Sequence, residues 1–67
     1  MNPPRRSADY TLYKRHGIWP IAHASGWSAE IINPDGVLIH TTATRLAKAE
    51  VIAEAKRWLD ENVQGRG

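Results

Sequence analysis

The sequence predicts an α+β domain: a small antiparallel sheet of three strands, or four, packed against one C-terminal helix in the order βββα. Three observations carry that expectation. Asn33-Pro34-Asp35-Gly36 stands between two β-rich runs, Trp27 to Ile32 and Val37 to Thr42. A single helical pattern then extends from Thr44 to about Val63, with no Gly or Pro inside it. Ahead of the turn lie two further extended segments, Tyr10 to Arg15 and Ile18 to His23.

The elements follow in chain order. Residues 1–8 read as a disordered basic arm, since two prolines and two arginines supply no apolar surface to offset the entropy of ordering. Tyr10-Thr11-Leu12-Tyr13-Lys14-Arg15 is rich in strand formers, and His16-Gly17 is the expected turn or bulge after it. Pro20 has no backbone donor, so Ile18–His23 must place it at an edge, in a bulge or outside the ladder. Ala24-Ser25-Gly26 supplies the next turn. In Asn33-Pro34-Asp35-Gly36, proline presets φ, Asp suits a turn, and Gly accepts positive φ, which together mark a hairpin.

A three-residue hairpin loop pairs Ile31 with Ile39 and Ala29 with Thr41. Alternation then assigns Trp27, Ala29, Ile31, Val37 and Ile39 to one face. Ser28, Glu30, Ile32, Leu38, His40 and Thr42 fall on the other, with Glu30 opposite His40. Thr44 is the expected N-cap of the helix and Thr42 the alternative. Val51, Ile52, Ala55, Trp58 and Leu59 form the apolar stripe, with Lys48 at its margin. The expected core is Trp27, Ala29, Ile31 and Ile39 against that stripe. Residues 9–63 make one domain, and 64–67 a frayed tail.

Composition narrows the function. A chain of 67 residues without cysteine has neither disulfide nor thiolate metal site to supplement a small core. No nucleophile elbow, phosphate loop or other catalytic motif is present, so no enzyme activity and no cofactor are expected. His16, His23 and His40 match no metal-ligand spacing, so no metal site is expected. No apolar run is long enough to span a bilayer and the start has no signal-peptide core, which makes a cytoplasmic protein the expectation.

The expected activity is binding. Residues 1–29 carry four basic side chains against one acidic, and residues 30–67 carry five against six. Tyr13, Lys14, Arg15 and Trp19 interleave cations with aromatics, and Arg5 and Arg6 sit on the arm, a set suited to phosphates and bases. The run Trp27-Ser28-Ala29-Glu30-Ile31, the turn Asn33-Pro34-Asp35-Gly36 and the alanines of Ala47-Lys48-Ala49-Glu50 and Ala53-Glu54-Ala55 resemble AP2-type and integrase arm-binding domains. That resemblance spans about residues 10–60 and implies a three-stranded sheet that reads DNA, with Arg5, Arg6, Tyr13, Lys14, Arg15 and Trp19 as the contacts. The alternative is a protein-interaction module or homo-oligomer that uses the amphipathic outer face at Ile32, Leu38 and His40. Trp19, Ile32, Leu38 and Trp58 are more large apolar groups than a two-layer fold of this size can bury.

Overall fold

The computed structural model describes the backbone of Arg5–Arg6 and residues 9–63. The strands are β1 (Arg5–Arg6), β2 (Thr11–Tyr13), β3 (His16–His23), β4 (Gly26–Ile32) and β5 (Leu38–Thr41), followed by the helix α1 (Lys48–Asn62). All pairings are antiparallel, and the strands occupy four positions because β1 and β2 share one side of β3. The α+β architecture of sheet and C-terminal helix matches the sequence expectation. The backbone of Arg5–Arg6 belongs to the sheet, opposite Ala22 and Ile21. The rest of the expected arm and tail, residues 1–4, 7–8 and 64–67, lies outside the described residues.

The first hairpin turns earlier than expected. Lys14 and Arg15, with φ of 50° and 67°, form a two-residue loop, and His16-Gly17 already belongs to β3. Two positive φ values match the right-handed twist of the strands, as in a type I′ turn. Neither residue advertises that geometry, because Gly or Asn normally supplies it. Pro20 occupies the constraint foreseen for it. It pairs with Ala29 of β4, whose own backbone groups face the other way, toward Thr42. On the other side of β3, the strand pairings of β2 and β1 stop short of Pro20, at Ile18 and Ile21.

The second hairpin closes at Asn33, whose carbonyl accepts the Gly36 N–H at 2.9 Å. The Asn33 Oδ1 accepts from the Asp35 and Val37 N–H groups at 3.0 and 2.9 Å, and Gly36 takes φ of 84°. The register then departs from the expected one. Ile32 pairs with Leu38, but Ile31 pairs with His40, so Ile39 is an extra, bulged residue. A bulge shifts the alternation of one strand by one place. Ile39 therefore leaves the expected core and is 37% exposed, as Val37 is exposed before it. His40 moves from the outer face to the helix side, and Glu30 pairs with Thr41 instead.

The helix begins at Lys48, four residues later than the pattern suggests, with Ala47 as N-cap. Neither threonine caps it. Thr42 is buried and belongs to the sheet, where its hydroxyl accepts the Ala29 N–H and donates to the Ala43 carbonyl, each at 3.0 Å. Thr44 lies ahead of Arg45, which continues the sheet by exchanging two backbone hydrogen bonds with Trp27 at 2.6 and 2.7 Å. The cap is supplied by Glu50, whose carboxylate accepts the Ala47 N–H at 3.1 Å.

The core lies between α1 and the middle strands. Ile18, Ala29 and Ile31 meet Val51, Ala55 and Leu59, all at 0% exposure. Tyr13, Trp27, Ile52, Trp58 and Val63 pack around them, partly buried. Ile18 takes the place expected of Ile39, because the register sets Ile18 directly against Ile31.

Candidate functional site

The antiparallel register sorts the sheet into two faces, since paired residues share a side. Ile18, Ala29, Ile31 and His40 face the helix. On the opposite side, Leu12, Gly17, Ile32 and Leu38 align in one row across all four strand positions. The next row holds Trp19, Glu30 and Thr41, and beyond it come Ile21 with Ser28 and His23 with Gly26.

Gly17 organises the first row. A Cβ at this position would lie 3.1 Å from Trp19 Nε1 and 3.7 Å from Tyr10 Cδ2, so the two rings occupy the space a side chain would take. The Trp19 indole covers the glycine, and Tyr10 stacks on it with centroids 4.4 Å apart and planes 21° from parallel. The outcome is a continuous apolar ridge of Leu12, Tyr10, Trp19, Ile32 and Leu38. Leu12 is 68% exposed, Tyr10 53% and Leu38 48%. The polar groups, Glu30, His23 and Ser28, lie toward the other end of the face.

The residues expected to contact DNA are spread over different parts of the molecule. Tyr13 and Lys14 turn to the helix, where the Tyr13 hydroxyl donates to Asp60 Oδ1 at 2.8 Å and Lys14 Nζ lies 2.9 Å from the same oxygen. These partners hold the Asp60 carboxyl below the usual carboxylate range, Lys14 contributing most. The hydrogen bond to Asp60 in turn raises the Tyr13 phenol. Trp19 lies on the outer face beneath Tyr10, and Arg15 is exposed at the β2–β3 turn. Arg5 and Arg6 pair at the other end of β3, and Arg6, opposite Ile21, holds a position in an outer row. Of the alternative interface set, Ile32 and Leu38 share the apolar row, whereas His40 stacks on Trp58 of the helix with centroids 4.3 Å apart.

The three histidines have separate surroundings. His16 is buried, and its Nδ1–H donates to the Lys14 carbonyl at 2.7 Å. His23 Nε2 lies 2.7 Å from Ser28 Oγ. That spacing is the one a nucleophile and its base adopt, yet Ser28 is 3% exposed, so its oxygen is withheld from any substrate and the pair ties β3 to β4. Among the described residues, no group of three or more His, Cys, Asp or Glu could hold a metal ion, and no helix is long and apolar enough to cross a membrane.

Three further cations serve the helix side. Arg45 Nε lies 3.0 Å from Glu54 Oε1, Lys48 Nζ stands 5.5 Å from the centroid of Trp27, and Lys56 Nζ 5.5 Å from that of Tyr13. Sequence reasoning isolates Ile32, Leu38 and Trp19 but misses Tyr10, Leu12 and Gly17 as members of the same ridge. Their common signal is the register of β2 on β3, which depends on the turn at Lys14-Arg15. No protein-family model, no curated protein and no solved structure matches this chain.

Proposed function

We propose that this chain is a small, non-catalytic binding module that holds a protein partner on the sheet face opposite α1. The observation that carries the reading is the ridge of Leu12, Tyr10, Trp19, Ile32 and Leu38, an apolar strip in which Leu12, Tyr10 and Leu38 are largely exposed. Exposed strips of this kind, with a polar margin, have the anatomy of an interface core. A sheet that reads DNA needs cations on the reading face. Here the outer rows hold Glu30 and a single basic position, Arg6 opposite Ile21, while Lys14 is engaged with Asp60. The protein reading therefore takes precedence over the DNA reading suggested by the sequence. A reducing, cytoplasmic setting is part of the same proposal and accords with the absence of cysteine.

The test is photo-crosslinking in cells. A benzophenone amino acid replaces Leu12, on the ridge, or Leu46, which is 86% exposed beside the helix start. The expected result is a discrete protein adduct from position 12 and none of that mass from position 46. No adduct from position 12, or the same adducts from both, overturns the reading.

A further inference from the structure

We propose that residues 10–15 form a displaceable strap: β2 leaves β3 as a unit while the rest of the domain stays folded, and its return completes the apolar ridge. The inference goes beyond the binding function proposed above and does not depend on which partner the ridge holds.

Burial does little to hold β2. The strand has three residues and pairs with β3 alone among the described strands. Leu12 is 68% exposed, and no residue of β2 belongs to the fully buried cluster on β3, β4 and α1. Segments with few buried apolar contacts are the ones that open locally, below the free energy of global unfolding.

The turn opposes closure. Lys14 and Arg15 hold φ of 50° and 67°, a region unfavourable for residues with a Cβ. Detaching β2 lets both return to negative φ, so opening releases strain that the paired state carries. The chain remains tethered on both sides of the strap, because β1 pairs with Ala22 and Ile21 and the turn runs directly into β3.

A single carboxylate on the helix favours closure. Asp60 Oδ1 accepts the Tyr13 hydroxyl at 2.8 Å and lies 2.9 Å from Lys14 Nζ, while Lys56 Nζ stands 5.5 Å from the Tyr13 centroid. The stack of Tyr10 on Trp19 and the bond from His16 to the Lys14 carbonyl act in the same sense. Asp60 is exposed and outside the buried cluster, so this clip can release without disturbing the packing of α1 on the sheet.

Register couples the strap to the ridge. Tyr10 and Leu12 supply two of the ridge side chains, and Leu12 stands opposite Gly17. Detachment takes both out of the row and separates Tyr10 from Trp19. The ridge is complete only when the strap is closed, so a ligand that spans it binds the closed state and shifts the population toward it.

Amide hydrogen exchange of the purified full chain, read by NMR, tests this. The pair that flanks a two-residue hairpin loop, Tyr13 and His16, is hydrogen-bonded, and alternation makes Thr11 and Ile18 the next such pair. The Thr11 and Tyr13 amides should be protected, but at least about tenfold less than those of Ala55 and Leu59 in the helix, with little dependence on low urea concentrations. Asp60→Asn should lower protection at Thr11 and Tyr13 by about threefold. Arg15→Gly, which relieves the turn and keeps Asp60 in place, should raise it by about threefold. His40→Ala removes the stack on Trp58 at the other side of the sheet. It should lower protection at Ala55 and Leu59 by about fivefold and leave Thr11 and Tyr13 unchanged. The inference is overturned if Thr11 and Tyr13 share the protection and urea dependence of Leu59, if they follow it in His40→Ala, or if they ignore both strap variants. No protection at either amide also overturns it, since the closed state would then not form. A β2 that never detaches leaves the expected adduct from position 12 as it is, so the two readings fail separately.

Discussion

His40 lies flat on Trp58, with ring centroids 4.3 Å apart and planes 11° from parallel. The stack joins the edge strand β5 to the last turns of α1, and it exists because the bulge at Ile39 turns His40 inward. Aromatic pairs of this geometry contribute about 0.5–1.5 kcal/mol beyond the area they bury. His40→Ala should therefore lower stability by about 1 kcal/mol, and Trp58→Ala by about 2 kcal/mol or more, less than a fully buried Trp because Trp58 is only partly buried. A double-mutant cycle read by thermal or urea unfolding should show coupling of about 0.5–1.5 kcal/mol. Coupling near zero would mean that the two rings touch without stabilising each other.

Two glycines with positive φ should respond differently to alanine. At Gly36, φ is 84° and the place a Cβ would take has no atom within 4 Å beyond the chain neighbours, so only backbone strain opposes a side chain there. Gly36→Ala should cost about 1–2 kcal/mol. Gly26, at φ 142°, would drive its Cβ into the Arg45 carbonyl, whose oxygen accepts the Trp27 N–H. Gly26→Ala must also displace that backbone bridge and should cost distinctly more than Gly36→Ala. Equal urea midpoints for the two variants would contradict the close approach of residue 45.

The cluster of Tyr13, Lys14 and Asp60 makes stability depend on pH at both extremes. The Asp60 carboxyl titrates below its ordinary value because of Lys14 first and Tyr13 second. A lowered carboxylate pKa contributes stability that is complete above the unfolded value, about 4, and is lost as pH falls through the folded one. The Tyr13 phenol is raised, chiefly by its hydrogen bond to Asp60. Its contribution is complete below the unfolded value, about 10, and is lost as pH rises through the folded one. Asp60→Asn removes the carboxylate from both interactions, so its stability should vary less with pH than the parent's on the acid and the alkaline limbs. An unchanged pH profile in that variant would show that the cluster does not persist in solution.

Nucleic acid provides a discriminating negative. With Arg6 the single basic position of the outer rows, titration with duplex DNA, single-stranded DNA or RNA at roughly 50 mM salt should give no specific complex. Four phosphate contacts would instead produce a log–log salt slope of about −3.6, and replacing Lys14 and Arg15 by alanine would flatten it by about 2. Observing that slope and that change would restore the DNA reading in place of the protein-binding face.

Several features were legible in the sequence because they are local. Asn33-Pro34-Asp35-Gly36 specifies a turn through its own φ preferences, although the side chain that bonds the turn backbone is that of Asn33 rather than Asp35. The 3.6-residue period of Val51, Ala55 and Leu59 specifies which side of α1 is buried, and alternation through Ala29 and Ile31 specifies the sheet face that receives it. Pro20 restricted its own place in the sheet by lacking a donor.

What only the tertiary structure decided is where these patterns lose step. A bulge inserts one residue, and whether Ile39 or a neighbour is the extra one depends on how β5 packs on β4 and α1, which no local propensity encodes. That single insertion exchanged the sides of Ile39 and His40. The turn at Lys14-Arg15 takes positive φ without Gly or Asn because the paired strands hold it there. It sets Leu12 beside Gly17, and Gly17 in turn admits the indole of Trp19. Thr42, with the composition of a helix cap, is instead held by the Ala29 backbone. Local chemistry determined the elements of this protein, whereas strand register, set by contacts between residues distant in the chain, determined which side chains the finished sheet presents.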